Sequence, residues 1–350
     1  MDPSDTPFDS ILLVSFGGPE GQEDVMPFLE NVLRGKNVPR ERMLEVAEHY
    51  KHFGGVSPIN QQNRDLIDAL RKELDEAGID LPIYWGNRNW HPMLPDTLKQ
   101  MREDGRSRAV AFFTSMFSCY SGCRQYREDI AGAQEAVGDG VPKVEKVRKG
   151  YNHPSFIEAQ IDLVKTSLQA IQPDVLSKTK ILFTAHSIPM TMAENSRYAQ
   201  QLLESSRLVA EGLGHEDWEL VYQSRSGPPQ QPWLEPDVCD RIDELAGTEV
   251  KHIAIVPIGF VSDHMEVLFD LDTEAREKCE EHSLGFTRVP STGVHPSFVR
   301  MIRELIQERI TGSQDRPAIG QFGPNHDVCP IDCCLYPRPQ RPATAGQRPG

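Results

Sequence analysis

The side chains best suited to acid–base or metal chemistry lie at the ends of short apolar runs. Lys180-Ile-Leu-Phe-Thr-Ala185 is followed by His186-Ser-Ile-Pro189, which puts an imidazole where an extended segment opens into a loop. A single histidine in such a place is more often a satisfied structural group than a ligand or base, so position alone does not assign it. A second run ends at Ile258 and continues Gly259-Phe-Val-Ser-Asp-His264-Met-Glu266, after which Glu266, Asp270 and Glu274 recur every four residues. In a helix these carboxylates share one face. A solvated acidic face would have the same spacing, but this one begins at a strand end and meets no Lys or Arg until Arg276. Stacked carboxylates repel one another unless protons or cations lie among them, so the row suits passage of protons or divalent cations between solvent and a site.

Two further strand ends are unusual. The run Ala109 to Thr114 leads into Ser115-Met-Phe-Ser-Cys119-Tyr-Ser-Gly-Cys123-Arg-Gln-Tyr126, whose small, hydroxyl and aromatic groups suit a flat ligand. Gln223-Ser-Arg225-Ser-Gly-Pro-Pro229 and Pro232-Trp233-Leu-Glu-Pro236 are too proline-rich for regular structure and read, taken alone, as a rigid loop. Seven cysteines, odd in number and unevenly spaced, read as thiols or metal ligands in a reducing compartment rather than as a disulfide framework. Gly17-Gly18-Pro19 is not G-x-G-x-x-G, and neither a phosphate-binding G-x-x-x-x-G-K-[ST] nor a G-x-S-x-G elbow occurs, so no nucleotide cofactor is expected. A hydrolytic zinc site from His186, His264 and Glu266 stays chemically open.

The elements that must position these groups are legible as alternation. Ile11-Leu-Leu-Val-Ser-Phe16, ended by Gly17-Gly18-Pro19, has the form of a strand buried on both faces. Similar runs recur at 82–86, 109–114, 180–185, 219–222 and 252–258, with helical text near 24–33 and amphipathic stretches such as 63–77 and 156–171 between them. Strands alternating with helices predict an α/β chain of two doubly wound, Rossmann-like domains with parallel sheets, spanning 8–150 and 151–295. The joint falls at Asn152-His-Pro-Ser155, a linker running into a helix cap, and the amphipathic helix 296–310 is expected to pack back on the first domain. Residues 311–350 form an irregular Pro- and Gly-rich tail that cannot bury enough apolar surface to fold unaided, yet it holds Cys329, Cys333 and Cys334. No stretch approaches the roughly 20 continuous apolar residues of a membrane span, and the acidic start from Met1 to Phe8 lacks the features of an export signal, so a soluble cytoplasmic protein is expected. A net charge of -15, from 37 Lys and Arg against 52 Asp and Glu, opposes nucleic acid as a partner.

Taken together, Ser15-Phe-Gly-Gly-Pro19, Phe53-Gly-Gly-Val-Ser-Pro58, Thr184-Ala-His-Ser-Ile-Pro189, Gln223-Ser-Arg-Ser-Gly227, Pro232-Trp-Leu-Glu-Pro-Asp237 and Pro257-Ile-Gly-Phe-Val-Ser-Asp-His-Met-Glu266 resemble the ferrochelatase family, over about residues 8–309. The resemblance implies a flat tetrapyrrole between two Rossmann-like domains, with porphyrin and ferrous iron as substrates. It assigns catalysis and metal contact to His186 and Glu266, and an acidic relay to Asp270 and Glu274. Around the macrocycle it assigns Ser57 and Tyr126, with Arg34 and Tyr50 as lesser candidates near propionates. Some members carry a tyrosine that can face the metal where this chain has Phe16, and a phenyl ring cannot ligate iron, so Phe16 is expected to pack against the macrocycle instead. Several members also carry a [2Fe-2S] cluster, and Cys329-x-x-x-Cys333-Cys334 looks like their C-terminal ligand set. The fourth ligand would be Cys119 or Cys123, with Cys123 favoured, and zinc at the same thiolates is the main rival. Cys239 and Cys279 look incidental.

The leading expectation is therefore a ferrochelatase of the heme pathway, a monomer or weak dimer acting on coproporphyrin III or protoporphyrin IX. A chelatase-fold protein that binds tetrapyrrole or metal without inserting it is the second reading, and it has no need of the Glu266, Asp270, Glu274 row. The zinc hydrolase is the third, and it requires tight zinc at His186 and Glu266.

Overall fold

A computed structural model describes residues 7–35 and 38–336; the chain's first six residues and the end of the tail, 337–350, lie outside the described residues. The apolar runs become strands because only a sheet interior accepts side chains that are hydrophobic on both faces. β1 (Ser10–Ser15) is buried along its whole length, and Ile11, Leu12, Leu13 and Val14 are each 0 % exposed. At about 1.5–3 kcal/mol for each large aliphatic group removed from water, such strands dominate the stability of the body.

β1 pairs in parallel with β2 (Ile83–Asn87) and with β3 (Arg108–Phe113), and β3 pairs in parallel with β4 (Lys143–Lys146), giving the order β2-β1-β3-β4. The second half repeats the pattern. β5 (Thr179–His186) lies between β6 (Trp218–Gln223) and β7 (His252–Val256), with β8 (Gly285–Arg288) outside β7, in the order β6-β5-β7-β8 and again all parallel. Parallel neighbours need long crossovers, and helices supply them: Ile59–Glu76, Leu94–Glu103 and Gln125–Val137 in the first half, Tyr198–Leu213 and Val238–Leu245 in the second. In Ile59–Glu76 the buried residues Ile59, Asn63, Leu66, Leu70 and Leu74 follow the helical period, so one stripe faces the sheet.

The edge strands β4 and β8 answer to no apolar run. Each has four residues, and most of their side chains keep some exposure, so their composition carries no continuous hydrophobic signal. The 152–155 segment is no exposed connector. His153 caps the helix Pro154–Leu168 by accepting from the Ser155 N–H, while Asn152 is fully buried and donates through Nδ2 to the Phe322 carbonyl at 2.8 Å.

The helix Pro296–Thr311 packs on Ile59–Glu76, on Pro154–Leu168 and on β3. It ends in Gly312 at φ 65, a left-handed turn that a side chain would strain. On it, Glu308 accepts from Arg148 Nε and Nη2, both at 2.8 Å, with Arg148 sealed from solvent. Beyond this helix the tail is irregular, as its composition predicts, but residues 313–336 are held by polar contacts rather than left loose. Arg148 Nη2 donates to the Pro317 carbonyl at 2.9 Å, the Gln321 N–H to Glu204 at 2.6 Å, and Arg124 Nη1 to the Ile331 carbonyl at 2.7 Å. Buried cations and amides of the body satisfy carbonyls of the tail, a contribution that hydrophobicity does not report. Breaking a buried ion pair leaves the partner's charge uncompensated, so Glu308→Gln should lower stability by about 3 kcal/mol, read as a lower midpoint of urea unfolding. An unchanged midpoint would show that the Pro317 carbonyl alone suffices for Arg148.

Candidate active site

In a doubly wound sheet the loops after neighbouring strands diverge where the winding direction reverses, and that crevice accepts ligands. In the second sheet it lies between β5 and β7. The β5 end carries His186 and the segment after β7 carries Glu266, so the two candidates named from sequence are brought together: His186 Nε2 is 3.9 Å from Glu266 Oε2. The backbone of His186 is held on several sides. Tyr198 donates its hydroxyl to the His186 carbonyl at 3.0 Å, and the Ser187 N–H donates to the Gln223 carbonyl at 2.8 Å. The ring nitrogen Nδ1 lies 2.5 Å from the Ser187 carbonyl, which can only accept, so Nδ1 carries the hydrogen. Nε2 is then the bare nitrogen in the neutral ring, turned toward Glu266.

His264 also touches this carboxylate, with Nε2 3.8 Å from Glu266 Oε2. Burial, reinforced by the His186 side chain, holds His264 below the usual imidazole pKa, though the Glu266 charge opposes the shift. Sequence reasoning used His264 only for the zinc alternative, although its place two residues before Glu266 was the available signal. Glu266 thus stands between two imidazoles.

The carboxylate row is not on a regular α-helix. A short turn Met265–Val267 leads into a π-helical stretch, Leu268–Ala275, before the chain tightens to α-helix at Arg276–Glu281. Such widened turns are rare and occur most at functional sites. Asp270 accepts from the Ser224 hydroxyl and from Gln223 Nε2 at 3.2 Å. Ser224 has φ 61, a left-handed backbone uncommon for serine, stored on the loop after β6. Burial pushes Asp270 up to about 7 against the Ser224 hydrogen bond, and the Glu266 and Glu274 charges push the same way. Glu274 is raised by burial and by Asp237 and Glu277. Near neutrality Asp270 therefore exchanges its proton.

The first half supplies an aromatic wall. Phe28 makes edge contacts with Phe16 (6.2 Å), Tyr50 (5.9 Å) and Trp90 (6.3 Å), and Met265 from the second half packs into the same cluster. His49 stacks on Phe269 at 3.9 Å, tying the helix Arg40–His52 to the π-helical stretch. Phe16 stays partly exposed after β1, and Arg34 is exposed and bonded to Asn31. The other three porphyrin candidates are enclosed. Tyr50 is buried in the wall, and Tyr126 stacks on Phe113 at 5.0 Å beneath the Arg88 guanidinium at 4.5 Å. Ser57 is buried behind Gly18, where a Cβ would lie 2.7 Å from its own.

The tail thiols gather with Cys123. Cys333 Sγ lies 3.6 Å from Cys334 Sγ, and Cys123 is in hydrogen-bonding reach of Cys329. The Cys329 thiol, with Lys149, Lys146 and Arg127, draws Cys123 down from the usual thiol pKa, whereas burial pushes Cys119 up. Cys119 instead accepts from the Gly122 N–H at 3.2 Å. Lys149 is buried and donates to the Ser115 and Gly122 carbonyls at 2.6 Å, and Arg127 Nε and Nη2 are buried without a partner. Such a cationic surround, with orphaned donors, fits an anionic thiolate-bound centre.

A carboxyl that is protonated when folded but ionised when unfolded costs the folded state stability as pH rises. For Asp270 that loss begins above its unfolded value near 3.8 and is complete above about 7. Asp270→Asn should therefore gain Tm relative to the parent as pH rises from 4 to 8, with little difference at pH 4. A Tm difference independent of pH would remove the raised pKa from the account.

The sequence profile described as Ferrochelatase matches residues 9–310. The chain is 65% identical over 344 residues to "Ferrochelatase" of Rhodopirellula baltica, covering 98% of this chain and 97% of the relative. It is 49% identical to "Coproporphyrin III ferrochelatase" of Streptomyces coelicolor, covering 97% and 96% of the two chains. Among solved structures it is similar in fold to SirB of Bacillus subtilis with Fe3+, at TM-score 0.58 and 10% identity, covering 89% of this chain and 99% of that one. Profile match and identities extend over nearly the whole of both chains, and the chain belongs to the ferrochelatase family.

Proposed function

We propose that this protein inserts Fe2+ into coproporphyrin III in heme biosynthesis. One observation carries the reading: a histidine whose Nδ1 hydrogen is committed to a backbone carbonyl turns a bare Nε2 toward the half-exposed Glu266 carboxylate, 3.9 Å away, at the crevice of the second sheet. Insertion replaces two pyrrole N–H bonds by iron–nitrogen bonds, so two protons leave and the hydrated cation sheds its water. His186 Nε2 accepts a pyrrole proton, and the Glu266 charge favours the imidazolium that results. The Glu266 carboxylate, flanked by His264, binds the incoming cation loosely enough to release it. Asp270 and Glu274 carry protons away from the crevice toward solvent. A binder without catalysis has no use for this row, and family membership speaks against the zinc hydrolase.

Phe16 and Arg34 are read as direct contacts, the ring against the macrocycle and the guanidinium near a propionate. Ser57, Tyr50 and Tyr126 shape the wall from behind it. Coproporphyrin III is preferred over protoporphyrin IX because that porphyrin is in the names of relatives such as those of Streptomyces coelicolor and Nocardia farcinica. The division into a first domain at 8–150, a second at 151–295, a return helix and a tail is the frame in which the crevice forms.

The tail is read as holding a [2Fe-2S] cluster through Cys123, Cys329, Cys333 and Cys334. Two thiolates on one tetrahedral metal with bonds of about 2.3 Å lie roughly 3.7 Å apart, and the Cys333 and Cys334 sulfurs are already at 3.6 Å. When bound, such a cluster supplies a one-electron couple and a covalent tie between tail and body. The lowered Cys123 is the fourth ligand, with Cys119 left as a buried thiol. Cytoplasmic location fits seven cysteines that form no disulfide. Among the described residues no helix is long and apolar enough to cross a membrane. A monomer or weak dimer is the expected state.

Purified protein given anaerobic Fe2+ should convert coproporphyrin III to its iron complex faster than protoporphyrin IX, followed by absorbance. His186→Ala should lower kcat by about 100-fold or more; full activity in that variant would sink the mechanism. Protein purified without oxygen should contain iron and acid-labile sulfide, kept in Cys119→Ser and lost in Cys123→Ser. The reverse pattern would make Cys119 the ligand.

A further inference from the structure

Five metal-capable donors converge at the tail, one more than either a tetrahedral ion or a [2Fe-2S] cluster uses. The fifth is His326. Its Nε2 lies 3.9 Å from Cys333 Sγ, and the ligand atoms of His326, Cys329 and Cys333 all fall within 4.8 Å of one another. Cys123 joins this group through its contact with Cys329.

The body holds His326 in place. Its N–H donates to Asn325 Oδ1 at 2.9 Å, and Asn325 Nδ2 donates in turn to Ser118 Oγ at 3.0 Å. Its carbonyl accepts from Lys146 Nζ at 3.2 Å, and the next residue, Asp327, is paired with Arg316 at 2.8 Å. An exposed imidazole with no task would not need this anchoring, and its backbone is fixed on both sides beside two thiols.

Choosing four donors from five gives two chemically distinct centres. A dinuclear cluster takes thiolates in pairs, one pair per iron, and the pairs at hand are Cys123 with Cys329 and Cys333 with Cys334. The imidazole has no part in that set. A single cation needs donors that converge on one point; the ligand atoms of His326, Cys329 and Cys333 lie within 4.8 Å of one another, and Cys123, in contact with Cys329, would supply the fourth donor. In that set Cys334 is surplus. Its sulfur is not among the three ligand atoms that lie within 4.8 Å of one another.

We propose that the tail has a second metal state, a single divalent cation of the zinc class bound by Cys123, Cys329, Cys333 and His326, with Cys334 free. Three thiolates and one imidazole are an established set for structural zinc. Binding releases the three thiol protons to solvent and leaves one net negative charge, which Lys146, Lys149 and Arg127 face. The idea rests on the tail thiols holding metal but not on the cluster reading, and His326 and Cys334 separate the two.

The test uses the full chain, stripped of metal without oxygen and titrated with Co2+, then with Zn2+ in competition. Thiolate-to-cobalt charge-transfer absorbance reports thiolate ligation, which the His186 and Glu266 donors of the crevice cannot give, and Cys239→Ser, which removes the thiol beside Asp270 and Glu274, should leave the band unchanged. His326→Ala should weaken Co2+ and Zn2+ by about 100-fold or more, since loss of a direct ligand exceeds the loss of a supporting group. The same variant, reconstituted with iron and sulfide, should still give the cluster spectrum. Cys334→Ser should do the reverse, keeping Co2+ affinity and losing the cluster, and circular dichroism melts of both variants check folding. Unchanged Co2+ affinity in His326→Ala, lost affinity in Cys334→Ser, or no stoichiometric charge-transfer band in the parent each overturn the proposal. Failure of iron and sulfide to build a cluster in the parent, with the cobalt band intact, would remove the cluster reading alone.

Discussion

The hydrogen bond between His186 Nδ1 and the Ser187 carbonyl decides which nitrogen the crevice sees, and much of the second half serves to keep it. A histidine at the end of a strand has two tautomers and free rotation about its side chain, so without a fixed acceptor its lone pair would point at random. The acceptor is fixed because Ser187 is itself tied, its N–H to the Gln223 carbonyl and its hydroxyl to the Leu234 carbonyl at 2.8 Å. These partners lie on β6 and on the proline-rich loop after it. The loop's rigidity thus has a use: it holds the carbonyl that holds the serine that orients the base. β5 must run parallel between β6 and β7 for this chain of contacts to form, which makes strand order part of the chemistry.

Electrostatics works against the same arrangement. Three acidic groups on one face of a half-buried segment repel, and burial adds to the cost of each charge. The chain answers in two ways. The Ser224 hydroxyl and Gln223 amide stabilise charge on Asp270, limiting its shift, while protonation near neutral pH removes charge that these donors cannot offset. Asp270, at the middle of the row, is the member whose proton is poised near neutral pH. Ser224 reaches Asp270 only from a left-handed backbone, so strain in one loop is exchanged for a hydrogen bond in the next.

The legibility of these features in the sequence follows from their physics. Both-face burial gives continuous apolar runs, and six strands were readable from them, β1 among them. β4 and β8 were not: each has only four residues that are largely polar or part-exposed, whereas the edge strands β2 and β6 carry aromatic and aliphatic residues that mark them. The spacing of Glu266, Asp270 and Glu274 was readable as one helical face, but the π-helical widening was not, because hydrogen-bond pattern leaves no mark on residue type at that scale. His186 and Glu266 were nameable only through the family resemblance. Their 3.9 Å approach depends on β5 and β7 lying side by side, a long-range fact that no local pattern contains. The enclosure of Tyr126 was equally illegible, because its stacking with Phe113 and Arg88 joins residues distant in sequence.

The tail illustrates how an apolar-poor segment can be held by polar contacts with the body. In small zinc-bound domains the binding free energy is also the folding free energy, so metal and structure appear together. Here Arg148, Asn152, Glu204, Lys146 and Arg124 already hold backbone groups between 317 and 333. Such contacts offset part of the entropy of ordering the segment, and donors fixed by the body lower the cost of binding a metal. Preorganisation of this kind has a second consequence. Donors held by the body rather than by a metal keep their positions when one centre is exchanged for another, so a tail with five donors can present different fours to different metals without refolding. Cys334 and His326, each within 4 Å of the Cys333 sulfur, are the two residues whose use must alternate.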